Sequence, residues 1–361
     1  MSKNDNLSKA KNTKNDEFYT QFEDIQREVN AYLEYNPNTF RDKVVLLPCD
    51  DPEWSNFTKF FAQNFEMLGL KKLISTSYAT ESKNQYSKGY QFSLADFLTD
   101  FEKDNPQFNE EKSFKKGKIF ILEKDTNKNG VIDYEDLEWK YLEGDGDFRS
   151  DEVKALRDEA DVIVTNPPFS LFREFVAWIF ETKKEFLIIG SQNAITYKEI
   201  FPLIKENKIW LGNGFNRGNA YFKIPSQFKN DYAEGVFDEN TNLVKFRNCN
   251  WFTNLEHGRR HQPLQLMTMA DNLKFSKHKQ IKENGYQKYD NYDAIEVPFT
   301  DAIPSDYDGV MGVPISFLSK HCPEQFEIIG NEYSLNIDKG RGYIKGKRMY
   351  SRVFIRKKVE Q

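Results

Sequence analysis

Cysteine is scarce, with three residues in a chain of 361: Cys49, Cys249 and Cys322. They are widely spaced, so neither a disulfide framework nor a cysteine metal site is expected, and no metal is. That spacing fits a reducing compartment and a cytoplasmic location. Long apolar runs are missing too. The longest, such as residues 186–189, fall far short of the ~20 residues of a membrane span, so no membrane partner is expected. Residues 1–15 are polar and lysine-rich with no apolar stretch, which reads as a flexible tail and not a secretory signal. Charge of one sign is not in large excess either. The chain holds 51 Lys+Arg against 56 Asp+Glu, a formal net charge of −5. Taken alone, that total counts mildly against a nucleic-acid partner, but a total does not say where charges sit.

Aromatic residues are plentiful, at 15% with 31 Phe and 18 Tyr, which argues against wholesale disorder. The length allows one α/β domain and a smaller one. Phe22, Ile25, Val29 and Tyr32 recur at helical spacing. Residues 43–48 read as a strand buried on both faces, followed by a helix carrying Phe57, Phe60, Phe61, Phe65 and Leu68 and stopped at Gly69. Residues 72–76 read as a second strand. Residues 80–160 are charge-dense and turn-rich and read as an insertion with one clear strand, Lys118–Leu122. Strand–helix alternation resumes with a strand at 161–165, a helix capped by Ser170, and a strand at 186–190. The expected fold is α/β, with a doubly wound, mostly parallel sheet. Past residue 255 the alternation is lost, which sets a domain boundary between 255 and 256.

Chemistry is concentrated in Asn166-Pro167-Pro168-Phe169, directly after the strand at 161–165. In an open parallel sheet, ligands bind beyond the carboxyl ends of strands. The two prolines remove two N–H donors and leave carbonyls to face a ligand. Asn166 adds a side-chain acceptor. Two adjacent acceptors suit an amino group, and Phe169 offers a flat face for a planar ring. The exocyclic amine of adenine is a poor nucleophile, because its lone pair is delocalised. Holding both of its hydrogens favours a more tetrahedral nitrogen, whose lone pair can attack a sulfonium methyl. The competing reading is a plain Asn-Pro turn.

With these residues the chain resembles the EcoRI-type adenine-specific DNA methyltransferases, a class I S-adenosylmethionine-dependent family. Asp16-Glu17-Phe18-Tyr19-Thr20 resembles the amino-terminal cofactor motif. Pro48-Cys49-Asp50-Asp51-Pro52 with Ser55-Asn56-Phe57 resembles the first-strand motif, and Gly144-Asp145-Gly146-Asp147-Phe148 the third. Trp251-Phe252-Thr253-Asn254-Leu255 and Cys322-Pro323-Glu324-Gln325-Phe326 match downstream. The resemblance implies a class I methyltransferase domain over 16–255, with the insertion at about 80–160, and a DNA target-recognition region over 256–361. It implies N6-methylation of adenine flipped out of double-stranded DNA, with S-adenosylmethionine as methyl donor. The setting would be a restriction–modification system with a cognate endonuclease, or an orphan enzyme.

Under this resemblance Asn166, Pro167, Pro168 and Phe169 are catalytic. The cofactor set is Tyr19, Thr20, Cys49, Asp50, Asp51, Ser77, Asp147, Phe148 and Asn166. Asp50 and Asp51 read equally as an N-cap pair; for Asp147-Phe148 the cofactor role is favoured over an ordinary Asp-Gly turn. One departure stands out: residues 44–57 contain no glycine, although most class I enzymes have glycines there. Rival readings are a methyltransferase of RNA adenine or protein glutamine, and a catalytically silent DNA- or calcium-binding module.

Residues 125–136 carry an EF-hand-like spacing, but Asp136 replaces the bidentate Glu and a strand precedes the loop, so calcium is not expected there. Charge is unevenly spread. Residues 96–161 hold 20 acids and 11 bases, a net of −9, leaving +4 elsewhere. Residues 339–358 hold nine Lys/Arg and no acid. DNA contacts are expected from Arg259, Arg260, Arg341, Lys345, Lys347 and Arg348.

Overall fold

The computed structural model describes residues 19–50, 55–79, 107–215, 218–223, 236–337 and 340–358. The expected tail at 1–15, residues 16–18, Asp51, residues 80–106 and Lys339 lie outside the described residues, as does the side chain of Tyr19. The chain divides into two compact units. One takes Met1–Ala194 and Gly214–Leu255, the other Ile195–Asn213 and Glu256–Gln361.

The first unit is built on a mixed, mostly parallel sheet. Its strands are β2 (Val44–Leu47), β3 (Lys72–Ser77), β4 (Lys118–Leu122), β5 (Glu138–Tyr141), β6 (Val162–Thr165), β7 (Glu185–Ser191) and β12 (Cys249–Thr253). They lie side by side in the order β5-β4-β3-β2-β6-β7-β12. The four central strands are parallel, with Val45 opposite Leu73 and Val162, and Val164 opposite Leu187. β4, β5 and β12 run antiparallel at the two sides. All four residues of β2 and of β6 are buried, as a strand covered on both faces requires.

Alternation of side chains sends β-strand residues to opposite faces. Val45, Leu47, Leu73, Val162, Val164, Leu187 and Ile189 join one cluster with the helices Phe22–Tyr35 and Asn56–Gln63. On the other face the helix Phe172–Phe180 sets Phe172 against Phe252 and Phe180 against Phe186. Gly190 makes room there, since a Cβ would collide with the Phe172 ring. Helices on both faces give the doubly wound class I methyltransferase architecture expected from sequence. A small antiparallel sheet in the same unit joins β1 (Tyr19–Thr20), β9 (Ala220–Lys223), β11 (Leu243–Phe246) and β10 (Phe237–Asp238).

Three local expectations are corrected. The long helix after β2 breaks at Asn64 into Asn56–Gln63 and Phe65–Leu68, and Gly69, at φ +64°, ends the second piece. The part of the supposed insertion beyond residue 117 is integral to the sheet. β4 and β5 extend its edge, and the helix Asp151–Glu159 leads back to β6. Ser170 is not a helix cap. It lies in a 3₁₀ turn, Phe169–Leu171, and the helix starts after Leu171 with no side-chain cap.

In the second unit β13 (Ile295–Glu296), β14 (Met311–Pro314), β18 (Arg352–Lys357) and β15 (Phe326–Asn331) form a sheet in that order. A separate hairpin pairs β16 (Tyr343–Ile344) with β17 (Lys347–Arg348). β8 (Trp210–Leu211) belongs to this unit by its place in the chain.

Candidate active site

The carboxyl ends of β2, β3 and β6 converge on Asp50. Its side chain is buried, at 5% exposure, and both oxygens accept hydroxyl bonds. Ser55 donates to Oδ1 at 2.6 Å, and Thr165 to Oδ2 at 2.5 Å. The Asp50 carbonyl accepts from the Ser75 and Thr58 hydroxyls, and its N–H donates to the Thr76 carbonyl at 3.1 Å. A buried carboxylate demands such partners. Helix capping, the other reading of Asp50, falls to Ser55, whose Oγ accepts from the Phe57 N–H at 3.1 Å.

Thr165 is the last residue of β6, so the hydroxyl held by Asp50 sits one residue before Asn166. The side-chain oxygen of Asn166 is shut off from solvent. Pro167 is buried, and Pro168 and Phe169 are half-buried. The Pro168 carbonyl accepts the Leu171 N–H at 2.9 Å, which fixes the turn beneath Phe169. The Phe169 ring packs partly on the cluster that holds Val164 and Leu47.

Beyond β3, two backbones approach closely. A Cβ on Gly117 would come within 2.7 Å of the Ser77 carbonyl, and one on Gly146, at φ +84°, would clash with the same oxygen. The Ala79 N–H donates to the Asp145 carbonyl at 2.7 Å, and the Tyr78 hydroxyl donates to Asp147 at 2.9 Å. Arg149 clamps Asp147 as well, at 2.9 Å through Nε and 2.6 Å through Nη2. Burial pushes the Asp147 carboxyl up, but the donors from Arg149 and Tyr78 outweigh it and hold it below the usual carboxylate range. Phe148 is 5% exposed and packs edge-on against Phe175 and Trp178 at 5.1 and 5.7 Å. Its ring is buried among these side chains, with the Arg149 guanidinium over it at 5.4 Å from the centre.

Thr20 lies nearby through Asn56, whose Nδ2 donates to the Thr20 carbonyl at 2.7 Å. The Thr20 hydroxyl is buried and has no hydrogen-bond partner among the described residues. Cys49 is half-buried beside Asp50, and Ser77 is buried at the end of β3. Motifs far apart in sequence thus meet at one end of the sheet.

The expected DNA-contact residues divide. Arg260 is turned inward, 7% exposed, with its guanidinium 3.8 Å from the Trp210 ring centre and Nε 3.1 Å from Glu256. Burial lowers its pKa, which Glu256 partly offsets. A phosphate contact from Arg260 is therefore corrected to a structural one. Arg259 is half-buried and donates to the Asn213 carbonyl. His257, 2% exposed, meets the Leu211 carbonyl at 3.0 Å, and burial pushes it down to about 4. His261 bridges Glu256 and Glu324, each at 2.9 Å. Arg341 is half-buried, 5.6 Å from the Tyr333 ring centre. Lys345, Lys347 and Arg348 are exposed on the hairpin.

The loop 125–136 joins β4 to β5 and has no flanking helix pair. Asp136 accepts from Thr126, Asn127 and Asp133 N–H groups, and Asp125 from those of Asn129 and Gly130. Its acids close turns on its own backbone. No group of three or more metal-ligating side chains occurs among the described residues.

A family model described as "Adenine-specific methyltransferase EcoRI" matches residues 6–358. The chain belongs to the EcoRI family of adenine-specific methyltransferases. It is 43% identical over 353 residues to the type II methyltransferase M.EcoRI of Escherichia coli, covering 98% of this chain and 96% of that protein. It is 34% identical to the type II methyltransferase M.MpnI of Mycoplasma pneumoniae, with 98% of each chain covered. It is 33% identical to M.MgeORF184P of Mycoplasma genitalium, over 97% and 98%. No solved structure matches the chain significantly.

A family of methyltransferases takes S-adenosylmethionine as methyl donor in general, and the first unit fits such a group. The Thr20 hydroxyl is a buried polar atom with no hydrogen-bond partner among the described residues, as a group awaiting a ligand would be. Thr58 and Thr165 are participants that sequence reasoning missed. A hydroxyl residue beside each recognised motif was the available signal. No helix among the described residues is long and apolar enough to cross a membrane.

Proposed function

We propose that residues 166–169 hold the adenine that is methylated at N6, flipped from double-stranded DNA. The chain is a DNA adenine methyltransferase, and what the reading adds is the role of each residue. Asn166 Oδ1 and the Pro167 carbonyl accept the two amino hydrogens. That pull localises the nitrogen lone pair. Phe169 stacks on the base after it leaves the duplex, since N6 is otherwise paired. Pro168 stiffens the turn through the Leu171 N–H. S-adenosylmethionine, when bound, supplies an electrophilic sulfonium methyl. Thr20, Ser77, Cys49 and the backbone of residues 144–147 would hold it, with Asp147 as an acceptor pre-set by Arg149 and Tyr78. Asp50 acts from behind, by positioning. The observation that carries the reading is the Thr165–Asp50 bond, which ties the base-binding turn to the first-strand motif.

The first unit would perform transfer and the second would recognise the target, through Lys345, Lys347, Arg348 and, peripherally, Arg259 and Arg341. Curated relatives are named type II methyltransferases. A restriction–modification setting in the cytoplasm, with a cognate endonuclease, belongs to this reading.

The test incubates the protein with labelled S-adenosylmethionine and duplex DNA of mixed sequence. N6-methyladenine should appear, and Asn166→Ala should lower its rate by roughly a hundred-fold or more. Equal transfer by wild type and Asn166→Ala overturns the assignment. Label found only in RNA adenine or protein glutamine overturns the substrate.

A further inference from the structure

We infer that the hairpin at residues 343–348 determines sequence specificity, as a two-stranded ribbon laid in the major groove with Arg348 reading a base edge. The inference rests on the DNA reading above and deepens it. The major groove admits a two-stranded ribbon, and an arginine fork pairs with a guanine edge through two bonds.

The ribbon is short and sharply turned. Tyr343 pairs with Arg348 and Ile344 with Lys347. Lys345 and Gly346 form the tip with φ of +50° and +74°. Two positive φ values in a two-residue loop mark a type I′ turn, where Asn, Asp or Gly is usual at the first position. Lysine stands there instead, so a positive charge occupies the tip despite a backbone that disfavours it.

The backbone beneath is held from several sides. Asp290 accepts the tip N–H groups of Lys345 at 3.0 Å and Gly346 at 2.8 Å. Its own N–H donates to the Tyr343 carbonyl at 2.8 Å. Asn291 donates to the Arg341 carbonyl at 2.9 Å and accepts the Tyr343 N–H at 3.0 Å. Gly342 lets Tyr289 lie against the ribbon's root, since a Cβ there would come within 2.5 Å of the ring. Tyr289 is anchored in turn. Its hydroxyl donates to Glu296, which is buried and paired with Arg352 at 2.5 Å. Ile344 points into the unit at 5% exposure.

The side chains left outside are Lys345, Lys347 and Arg348, with Tyr350 at 83% exposure just beyond. None of the three cations has an ion-pair partner among the described residues. The nearby acid, Asp290, is spent on backbone. A solvated basic tail needs no such cradle. A reader needs one, because bonds to base edges demand a fixed backbone.

The experiment maps N6-methyladenine across a random-sequence duplex library for wild type, Arg348→Ala, Arg348→Lys and Lys347→Ala. Arg348→Ala is expected to relax discrimination at one base position by roughly ten- to hundred-fold. Arg348→Lys should relax the same position, because it keeps the charge and loses the fork. Lys347→Ala should weaken all sites alike and flatten the salt dependence. An unchanged site preference in both Arg348 variants overturns the inference. If Arg348→Ala transfers no label, Arg348→Lys decides: a relaxed site supports the inference and an intact one overturns it. A wild type that methylates no adenine overturns the activity reading instead.

Discussion

Asp50 spends its charge on hydroxyl groups from two directions, Ser55 ahead of a helix and Thr165 ahead of Asn166. Removing one partner of such a buried pair leaves the other unsatisfied, at about 1–3 kcal/mol. A shift of about an ångström in a substrate-binding turn can cost roughly a hundred-fold in rate. We expect Asp50→Ala and Thr165→Val each to lower the methylation rate, with their combined effect well below the product of the two. Single-turnover kinetics on duplex DNA would show this, and independent effects would mean that the bond does not position the turn. Asp50 was legible as part of a motif, but its partner lies 115 residues away, beyond the reach of local spacing. The surroundings of Phe148 were illegible for a related reason: an aromatic beside a turn can stack on a ligand or fill the core, and its neighbours Phe175 and Trp178 lie well over twenty residues away in the chain.

Elements with strong periodicity or unbroken apolar runs were read well. β2, β6 and the helix Phe172–Phe180 follow from their own residues, because burial on one or both faces dictates the pattern. Element ends were less legible. Pro168 opens a 3₁₀ turn, which moves the helix start past Ser170. The hairpin was seen only as basic residues with glycines, since its cradle comes from residues 289–291. In the loop 125–136 the carboxylates of Asp125 and Asp136 accept N–H bonds from the loop's own backbone, a use of oxygen ligands that their spacing alone did not reveal. Millimolar calcium should leave the melting temperature unchanged. A rise of several degrees at concentrations of ~1 mM would indicate specific binding to the folded state.

For the molecule as a whole, the total charge of −5 conceals an arrangement. Of the nine cations at 339–358, Arg352 is buried against Glu296 and Lys357 binds the Ser305 carbonyl, so the exposed cations are fewer than the count suggests. The second unit also carries two buried histidines, His257 and His321, each pushed down to about 4 from an ordinary 6.5, chiefly by burial. Both bind a proton more readily when unfolded. Their stabilising effect is therefore complete above pH 6.5 and is lost as pH falls toward 4, at most about 3 kcal/mol for each. Thermal unfolding between pH 7 and 4.5 should show a falling midpoint, and a flat profile would contradict the buried, neutral state of these rings.

The second unit is threaded from two pieces of chain, with Gly214–Leu255 returning to the first unit between them. His257 needs the Leu211 carbonyl, and Arg260 needs the Trp210 ring and Asn207. On the ribosome, residues 195–213 emerge early and wait for partners more than forty residues later in the chain. A fragment starting at Glu256 would be born without them. Gene fusions or split versions that cut near residue 255 should therefore fail to give an autonomous recognition piece, and one that carries residues 195–213 as a separate strip should restore it.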